Sequence, residues 1–273
     1  MKRRRILLLL ALAAVAGGIV VWPLGPKEPV YQGKRLTEWI QEARGPIQRS
    51  ATRHWPTQAE RERSEAARQA VKAIGTNAIP FLVSELVRPE SKWRTSFNRW
   101  ASKHPAIRFR FADFDTRILN AANGLGILGR DAAPALPTLA EYLGHNRLGF
   151  TAAMAMGKVE DLAIPYFLKA IASMDTLAAE NAGTSMAGQI RDVESAIPSL
   201  VQLLQHTNEW TRRVAAWTLG GIRSQAEAMV PALTELLSDP VPIVQAHACH
   251  ALARKGIARR HRRPGVAAAD DEF

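Results

Sequence analysis

The chain is poor in the residues that build disulfides and covalent anchors. Its 273 residues contain one cysteine, Cys249, so no disulfide can form within the chain. The cysteine content therefore does not indicate whether the protein works in an oxidising or a reducing compartment. No cysteine stands near residues 17 and 18, which excludes a lipoprotein anchor after the apolar N-terminal run. With 47% hydrophobic and 22% charged residues, the chain can nevertheless bury a continuous apolar core.

Metal ligands are equally sparse. In the stretch AHACHAL, His247 and His250 share a helical face, whereas Cys249 points elsewhere, and a zinc site needs more ligands than two histidines. The first cysteine of C-x-x-C-H is missing, so haem attachment is not predicted. We interpret the stretch as a terminal repeat helix with incidental histidines.

Catalytic motifs are also lacking. GLGILG at residues 124–129 follows no predicted strand and lacks the Lys-Ser/Thr of a phosphate loop, so its glycines are expected to mark a helix end. The close acidic groups are two pairs, Glu160 with Asp161 and Asp113 with Asp115, and neither converges with a base or nucleophile. We therefore predict a non-enzymatic protein with no catalytic residue, no cofactor and no metal.

The chain does contain one repeated pattern: an alanine-rich helix, a turn, then an apolar residue, a proline and a second helix. Five copies align on their prolines, and the wide gap between the first two prolines predicts an insertion. Proline suits the first turn of a helix, where its missing N–H has no partner to lose. The aligned residues are Pro80, Pro137, Pro165, Pro198 and Pro231.

Within a unit, apolar residues follow the helical period. Trp210, Val214 and Trp217 are spaced i, i+4, i+7, so the first helix carries one apolar stripe. Two striped helices cannot bury themselves alone, and they must stack on neighbouring pairs into a quasi-one-dimensional superhelix. Glycines are expected to end the first helices in the left-handed conformation. These glycines are Gly75, Gly129, Gly157 and Gly221.

This pattern resembles HEAT repeats over roughly residues 61 to 255, with a poor copy at 177–206, where the first helix contains Gly183 and Gly188. The repeats predict an all-α fold, an α-solenoid of stacked antiparallel helix pairs in a HEAT-like superhelix. Some HEAT-like proteins resemble DNA glycosylases that recognise alkylated bases, and others resemble tetrapyrrole lyases. Those activities are the enzymatic alternative, although no motif in this sequence maps onto their functional residues.

The N-terminus predicts export. MKRRR precedes an uncharged run from Ile6 to Val21, extended by Trp22. If the small residues at 14–16 form a cleavage site, the run is a secretory signal and the mature protein is secreted. If they do not, about 17 apolar residues just span a bilayer core, and the arginines hold their end in the cytoplasm. We favour this signal-anchor, with the repeats on the extracytoplasmic (periplasmic) side of the inner membrane, because apolar residues resume after the candidate cleavage site.

The segment VYQGKRLTEWIQEA predicts a capping helix before the repeats. Thr37 can N-cap this helix with Glu38 in its first turn. The segment resembles the Y-x-G-K-x-L-x-x-W stretch that precedes the repeats in a group of membrane-anchored or exported bacterial HEAT-repeat proteins. We interpret it as a cap that packs Trp39 over the open edge of the first repeat, with ligand binding as the alternative. The matching residues are Tyr31, Gly33, Lys34, Leu36 and Trp39.

The insertion interleaves basic and aromatic residues. Such mixtures can bind single-stranded nucleic acid or sit at an anionic membrane surface. In the plainest interpretation, Trp93, Phe97 and Trp100 form the packing face of one helix, the arginines are solvated, and RFRFADF is a short extended piece. The residues that we select as candidates for partner contact are Trp93, Arg94, Arg99, Trp100, Arg108 and Arg110.

The positive charge is concentrated rather than spread. Of the net +11, the part outside residues 1–5, 88–117 and 255–273 contributes nothing, so a basic coating for nucleic acid along the superhelix is not predicted. We therefore predict a scaffold that binds a protein partner on its concave face, with a membrane-surface organiser as a further alternative. The predicted domains are an anchor at 1–26, a linker and capping helix at 27–60, a solenoid at 61–258 with an insertion at 88–117, and a disordered tail at 259–273.

Overall fold

The computed structural model describes residues 26–45, 57–104, 113–190, 193–222 and 226–261, which form an all-α solenoid of stacked antiparallel helix pairs. The one sheet in these ranges is a hairpin of strands β1 (Val30–Tyr31) and β2 (Lys34–Arg35). The α-helices of the described ranges are α1 (Leu36–Arg44), α2 (Gln58–Ile74), α3 (Ile79–Val87), α4 (Lys92–Ser102), α5 (Phe114–Leu128), α6 (Leu136–Glu141), α7 (Gly149–Gly157), α8 (Ile164–Ile171), α9 (Thr176–Gln189), α10 (Ile197–Leu203), α11 (Glu209–Gly221), α12 (Ala226–Glu235) and α13 (Pro242–His261).

The first helices of the units, α2, α5, α7, α9 and α11, contact one another in that order, and α13 continues their row. Each of the second helices α3, α6, α8, α10 and α12 packs more closely on the first helix of the next unit than on its own. The tightest antiparallel hairpins therefore cross the boundaries of the sequence repeat. Their apolar stripes merge into one core cluster running from α1 to α13.

The prolines begin the second helices in four units. Pro80, Pro137, Pro165 and Pro198 lie in the first turn of α3, α6, α8 and α10, each after a 3₁₀ turn. Pro231 lies inside α12 instead, because the residues before it continue as α-helix. The expectation is thus confirmed for four prolines and wrong for the fifth.

The glycines at the ends of the first helices either terminate the helix or allow a neighbouring helix to pack closely. Gly75 and Gly129 end α2 and α5 with positive φ of 61° and 58°, as predicted, although their ψ values of -143° and -127° differ from those of the left-handed helical conformation. The same expectation is wrong for Gly157 and Gly221, which are the last helical residues of α7 and α11 without positive φ. A Cβ at Gly221 would lie 2.5 Å from the Cβ of Ala187, so this glycine permits close contact with α9.

The unit at 177–206 is as regular as its neighbours despite its glycines. Helix α9 runs unbroken through Gly183 and Gly188. A Cβ at Gly183 would lie 2.6 Å from the Oγ1 of Thr218 and 2.9 Å from the Cγ1 of Val214 on α11, whereas Gly188 has no neighbour within 4 Å. Gly183 therefore serves helix packing.

The residues before the repeats form a hairpin that leads directly into α1. The hairpin turns at Gln32 and Gly33, whose φ values are 49° and 78°. The indole N–H of Trp39 donates to the carbonyl of Tyr31 at 3.0 Å, and the Lys34 ammonium lies 4.4 Å from the centre of the Trp39 ring. The motif residues Tyr31, Gly33, Lys34 and Trp39 thus build one local structure.

Helix α1 begins differently from the prediction, because Thr37 lies inside it and Arg35 is its N-cap. The Glu28 carboxylate accepts hydrogen bonds from both the backbone N–H and the hydroxyl of Thr37, which supplies the missing cap from outside the helix. Helix α1 packs against α2 and α5, with Ile40 fully buried. It contacts α2 as each second helix contacts the following first helix.

The two ends of the chain lie largely outside the described residues, and the proposed anchor run at 6–22 does so entirely. At the other end, α13 continues to His261, three residues into the tail that we predict to be disordered at 259–273, and the rest of that tail lies outside the described residues. Alanine and arginine there are good helix formers. Among the described residues, the stretch Gln58–Val87 is long and apolar enough to cross a membrane by length and composition. That stretch consists of α2, a 3₁₀ turn and α3, whose larger apolar side chains lie in the solenoid core or pack against it.

Candidate functional site

Helix α4 belongs to the insertion and lies between α3 and α5 along the chain. Ala101 is its one buried residue. Trp93 and Trp100 are 50% and 49% exposed, so the expectation that they form a packing face with Phe97 is wrong. The inward-facing residues of α4 are instead Ala101 and the half-buried Arg94, and the two tryptophans lie beside them with their rings half-exposed.

The outer side of α4 presents two adjacent stripes. The aromatic stripe contains Trp100 and the half-buried Phe97 at its inner margin, whose ring centroids are 5.7 Å apart. Trp100 in turn lies 4.5 Å from the ring of His104. Lys92, Arg99 and Lys103 are exposed along a neighbouring stripe, because they are spaced i, i+7, i+11. We call residues Trp93, Phe97, Arg99, Trp100 and Lys103 the α4 surface.

Arg94 belongs to a separate feature, a cavity of about 210 Å³ between the end of α3, the start of α4 and the start of α5. Arg88 and Arg117 line the same cavity. We call this the arginine cavity. Its complete lining is Arg88, Pro89, Glu90, Ser91, Arg94, Thr95, Asn98, Asp113, Phe114 and Arg117.

Arg117 holds the two arms of the hairpin together. It is only 8% exposed, and its guanidinium donates to the backbone carbonyls of Glu85 and Arg88, at the end of α3. Its carbon centre lies 5.3 Å from the centre of the Phe114 ring. These contacts satisfy carbonyl groups that the end of α3 would otherwise leave without a partner.

The surroundings of the arginine cavity disfavour the charged forms of Arg88, Arg94 and Arg117. Burial lowers the pKa of Arg88 to about 10, with further contributions from the positive charges of Arg117 and Arg94. Burial also lowers the pKa of Arg94 and of Arg117, and Arg94 lowers that of Arg117 further. The fold therefore crowds three guanidinium groups into a partly desolvated space.

The acidic residues around this cavity are engaged in other contacts. Glu90 pairs with Arg147, and the Arg147 guanidinium lies 3.9 Å from the Phe114 ring. The Asp113 carboxylate accepts from the backbone N–H of Thr116 and so caps α5. Glu85 forms an ion pair with Arg88. Through Glu90 and Phe114, Arg147 thus connects both ends of the insertion to the loop before α7.

Of the six residues selected from the sequence, the structure places four on α4. Arg94 lines the arginine cavity, and its guanidinium carbon lies 6.0 Å from the centre of the Trp93 ring. Arg108 and Arg110 lie outside the described residues. Sequence reasoning missed Arg88 and Arg117, which are the first and last residues of the predicted insertion. Their proximity could have been inferred from the sequence, because the first and last residues of an insertion between two packed helices must lie close together.

The remaining candidates of the sequence lie on ordinary helices. The His247 Nδ1 contacts the carbonyl of Ile243 at 2.8 Å within α13, and Cys249 is exposed. In the part of the chain that the structure describes, no group of three His, Cys, Asp or Glu side chains could hold a metal ion. GLGILG lies in α5, where Gly129 ends the helix as expected, whereas Gly124 packs near Ile40 and Leu82.

Comparison with known proteins gives one family match. Residues 164–253, about a third of the chain, match the HEAT repeats family model. This range contains the unit that looked poorest in sequence, and α2 to α7 continue the same helix arrangement outside it. No curated protein matches the chain. The family match and the stacked helices together support a HEAT-repeat protein.

The solved structures that match the chain include an engineered protein, a designed armadillo repeat protein and a human hydroxylase. An engineered protein is 18% identical with a TM-score of 0.33 and covers 82% of this chain and 97% of its own. A designed armadillo repeat protein in complex with the peptide (KR)4 is 17% identical with a TM-score of 0.31, covering 81% and 99%. Human deoxyhypusine hydroxylase in complex with glycerol is 16% identical with a TM-score of 0.37, covering 81% and 96%. Likeness at this level transfers neither a ligand nor an activity.

Proposed function

We propose that the protein is a non-enzymatic scaffold that binds a protein partner along the surface of its second helices. The observation that carries this proposal is the stack itself, in which α3, α6, α8, α10 and α12 follow one another without another layer covering them in the described residues. In solenoids such a row forms an extended binding surface, here taken as the concave one.

The composition of that surface suits a protein better than a nucleic acid. Helices α3, α6 and α8 contain one charged residue each, and α10 contains none. The prolines that begin these helices are exposed and repeat along the row. Nucleic-acid binding depends on Lys and Arg contacts with phosphates. This row offers one such residue, Lys169 on α8, whereas its other charged residues, including two on α12, are glutamates.

The α4 surface adds a second point of contact. Trp93 and Trp100 offer large half-exposed rings, and Arg99 supplies an adjacent cation. Tryptophan and arginine are the residue types that most often dominate the energy of protein interfaces. Arg94 supports the helix from inside rather than presenting its charge to the partner.

The N-terminal run supports a placement at the outer face of the inner membrane, with residues 6–22 as an uncleaved anchor. Fractionation together with the intact mass of the purified protein tests this directly. A membrane-bound chain that retains its N-terminus supports the anchor. A shorter soluble chain supports secretion after cleavage, and a cytoplasmic chain refutes export.

Partner binding is tested by affinity purification of the tagged full-length protein from its native cells. We compare wild type, Trp93→Ser/Trp100→Ser on α4, Lys169→Glu/Gln202→Glu on the second helices, and Phe150→Ser. The last variant is a matched control, because Phe150 is a 55% exposed aromatic residue on the first helix α7.

The proposal expects a stoichiometric protein partner with wild type and with Phe150→Ser, and at least several-fold less of it with the other two variants. Equal recovery with all variants contradicts the assigned surfaces. Recovery of nucleic acid in place of a protein contradicts the scaffold function itself.

A further inference from the structure

Three exposed cations of helix α4 lie in one row along its outer side. Lys92, Arg99 and Lys103 are spaced i, i+7, i+11, so they project from the same side of the helix over about 16 Å of its axis. We call these three residues the cation row. The sequence from Ser91 to His104 contains no acidic residue, so the row has no anion on its own helix.

The acidic residues that precede and follow α4 in the chain are engaged elsewhere. Glu90 pairs with Arg147, and an oxygen of Asp115 lies 3.8 Å from the same guanidinium group. The Asp113 carboxylate caps α5. In the part of the chain that the structure describes, no residue of the cation row forms an ion pair.

Arginines at other places on the solenoid surface are paired with acidic residues of an adjacent unit. Arg130 binds the carboxylate of Asp161, and Arg213 pairs with Glu180 at 2.7 Å between α11 and α9. Such exposed pairs add little stability, but they neutralise the surface charge where they form. The cation row therefore differs from these arginines, because its charge is left for another molecule to neutralise.

The aromatic stripe beside the row is held in place by its own helix. The Trp100 ring lies against the rings of Phe97 and His104, and about half of Trp93 and of Trp100 is exposed. A helix at a membrane surface buries its apolar face about 5–10 Å into the headgroup boundary, and half-covered rings offer little area for that insertion. Rings that are already positioned lose little freedom on binding, which favours contact with a protein.

We propose that the protein partner meets the α4 surface with an acidic segment. Asp or Glu side chains of that segment pair with the cation row, while its apolar side chains cover the exposed halves of Trp93 and Trp100. Complementary charge of this kind guides association and selects the partner more than it adds affinity. The inference rests on the scaffold function proposed above and names the chemistry that the partner needs at this point of contact.

The test is site-specific photocrosslinking of the tagged full-length protein in its native cells. The photoreactive residue p-benzoylphenylalanine replaces either Ser96 or Gln202. Ser96 is exposed and lies on the same side of α4 as the cation row, four residues after Lys92, whereas Gln202 is exposed on the second helix α10. Mass spectrometry then identifies the segment that each position has captured.

Charge reversal tests whether the row selects that segment. The Ser96 position is combined with Arg99→Glu/Lys103→Glu, or with Arg63→Glu/Arg68→Glu. The second pair is a matched control, because Arg63 and Arg68 are exposed on α2 and their reversal changes the net charge equally. Crosslinking through Gln202 in the same variants checks that the solenoid remains folded.

We expect the Ser96 position to capture a protein segment with an excess of Asp and Glu. Its yield should fall at least about five-fold with Arg99→Glu/Lys103→Glu and stay unchanged with the control pair. Changing the acidic residues of the captured segment to lysine should restore the yield with the reversed row.

A neutral or basic segment, or equal yields from both reversed pairs, overturns the inference. A phospholipid adduct at Ser96 also overturns it and assigns the α4 surface to the membrane. Capture at Gln202 without capture at Ser96 refutes the acidic contact and leaves the scaffold function standing, whereas capture at neither position contradicts both.

Discussion

Gly149, the first residue of α7, leaves no room for a side chain. A Cβ at this position would lie 2.3 Å from the carbonyl oxygen of Leu143 and 2.6 Å from the Nδ2 of Asn181. These two atoms are themselves joined by a buried hydrogen bond of 2.8 Å between α9 and the preceding hairpin. Gly149→Ala therefore forces either the backbone at Leu143 or the Asn181 side chain to move.

The magnitude follows from two costs. Overpacking by one methyl group against backbone costs about 1–3 kcal/mol, and separating Asn181 from Leu143 leaves a buried donor and acceptor unsatisfied for about another 1–3 kcal/mol. The higher helix propensity of alanine offsets little of this loss of stability, because the substitution is at the start of a helix. We expect Gly149→Ala to reduce the free energy of unfolding by about 2–4 kcal/mol, a large part of the roughly 5–15 kcal/mol typical of folded domains.

Urea unfolding followed by circular dichroism at 222 nm measures this loss. Gly188→Ala is the control, because it adds a methyl group with no neighbour within 4 Å in α9, and it should stabilise by about 0.5–1 kcal/mol. The double variant Gly149→Ala/Asn181→Ala should lose less than the sum of the single changes, since both break the same hydrogen bond. A Gly149→Ala protein as stable as wild type refutes the packing derived for α7 and α9.

The remaining predictions concern charges and the exposed tryptophans. Arg212→Ala should lower the free energy of unfolding by about 2–3 kcal/mol at pH 7, because it leaves the nearly buried Asp239 without its partner. Arg212 lowers the pKa of Asp239, so the stability that this pair contributes should disappear in urea titrations as the pH falls below about 3.8. Burial lowers the pKa of Lys255 to about 8, so the native state releases its proton before the unfolded chain does, and stability should rise between pH 8 and 10.5. Lys255→Met should abolish this rise, which is at most about 3 kcal/mol; equal pH profiles for variant and wild type contradict the burial of this ammonium group. Trp93→Ser/Trp100→Ser should lower the unfolding free energy by less than about 2 kcal/mol in total, well below the cost of core tryptophans, and a larger loss in thermal unfolding would show that these rings support the fold.

Helical periodicity made the solenoid predictable, because a striped helix needs a neighbour whatever the details of the contact. Pro80 and Gly75 marked the boundaries of α2 and α3 through backbone chemistry that is local to each residue. Gly157 and Gly221 show where such reasoning fails. A glycine ends a helix or admits a neighbouring helix, and only the neighbour's position decides between these uses.

The candidate site was predictable in content but not in arrangement. The mixture of tryptophan and arginine at 88–117 identified the insertion as unusual, yet the same periodicity fits a buried face and an exposed one. On α4, the small Ala101 faces inward and the tryptophans turn toward solvent. The side on which a helix is covered depends on what surrounds it, and the spacing of its residues does not contain that information.

The all-α class, the repeated helix pairs and the existence of an insertion can be derived from the sequence, because they follow from local backbone preferences and from the period of apolar residues. Tertiary structure alone decided that each second helix packs most closely on the next unit, and that Arg88, Arg94 and Arg117 share one cavity. The physical reason is that burial and electrostatic repulsion depend on distances between groups far apart in the chain. In this solenoid those distances are set by how neighbouring hairpins stack.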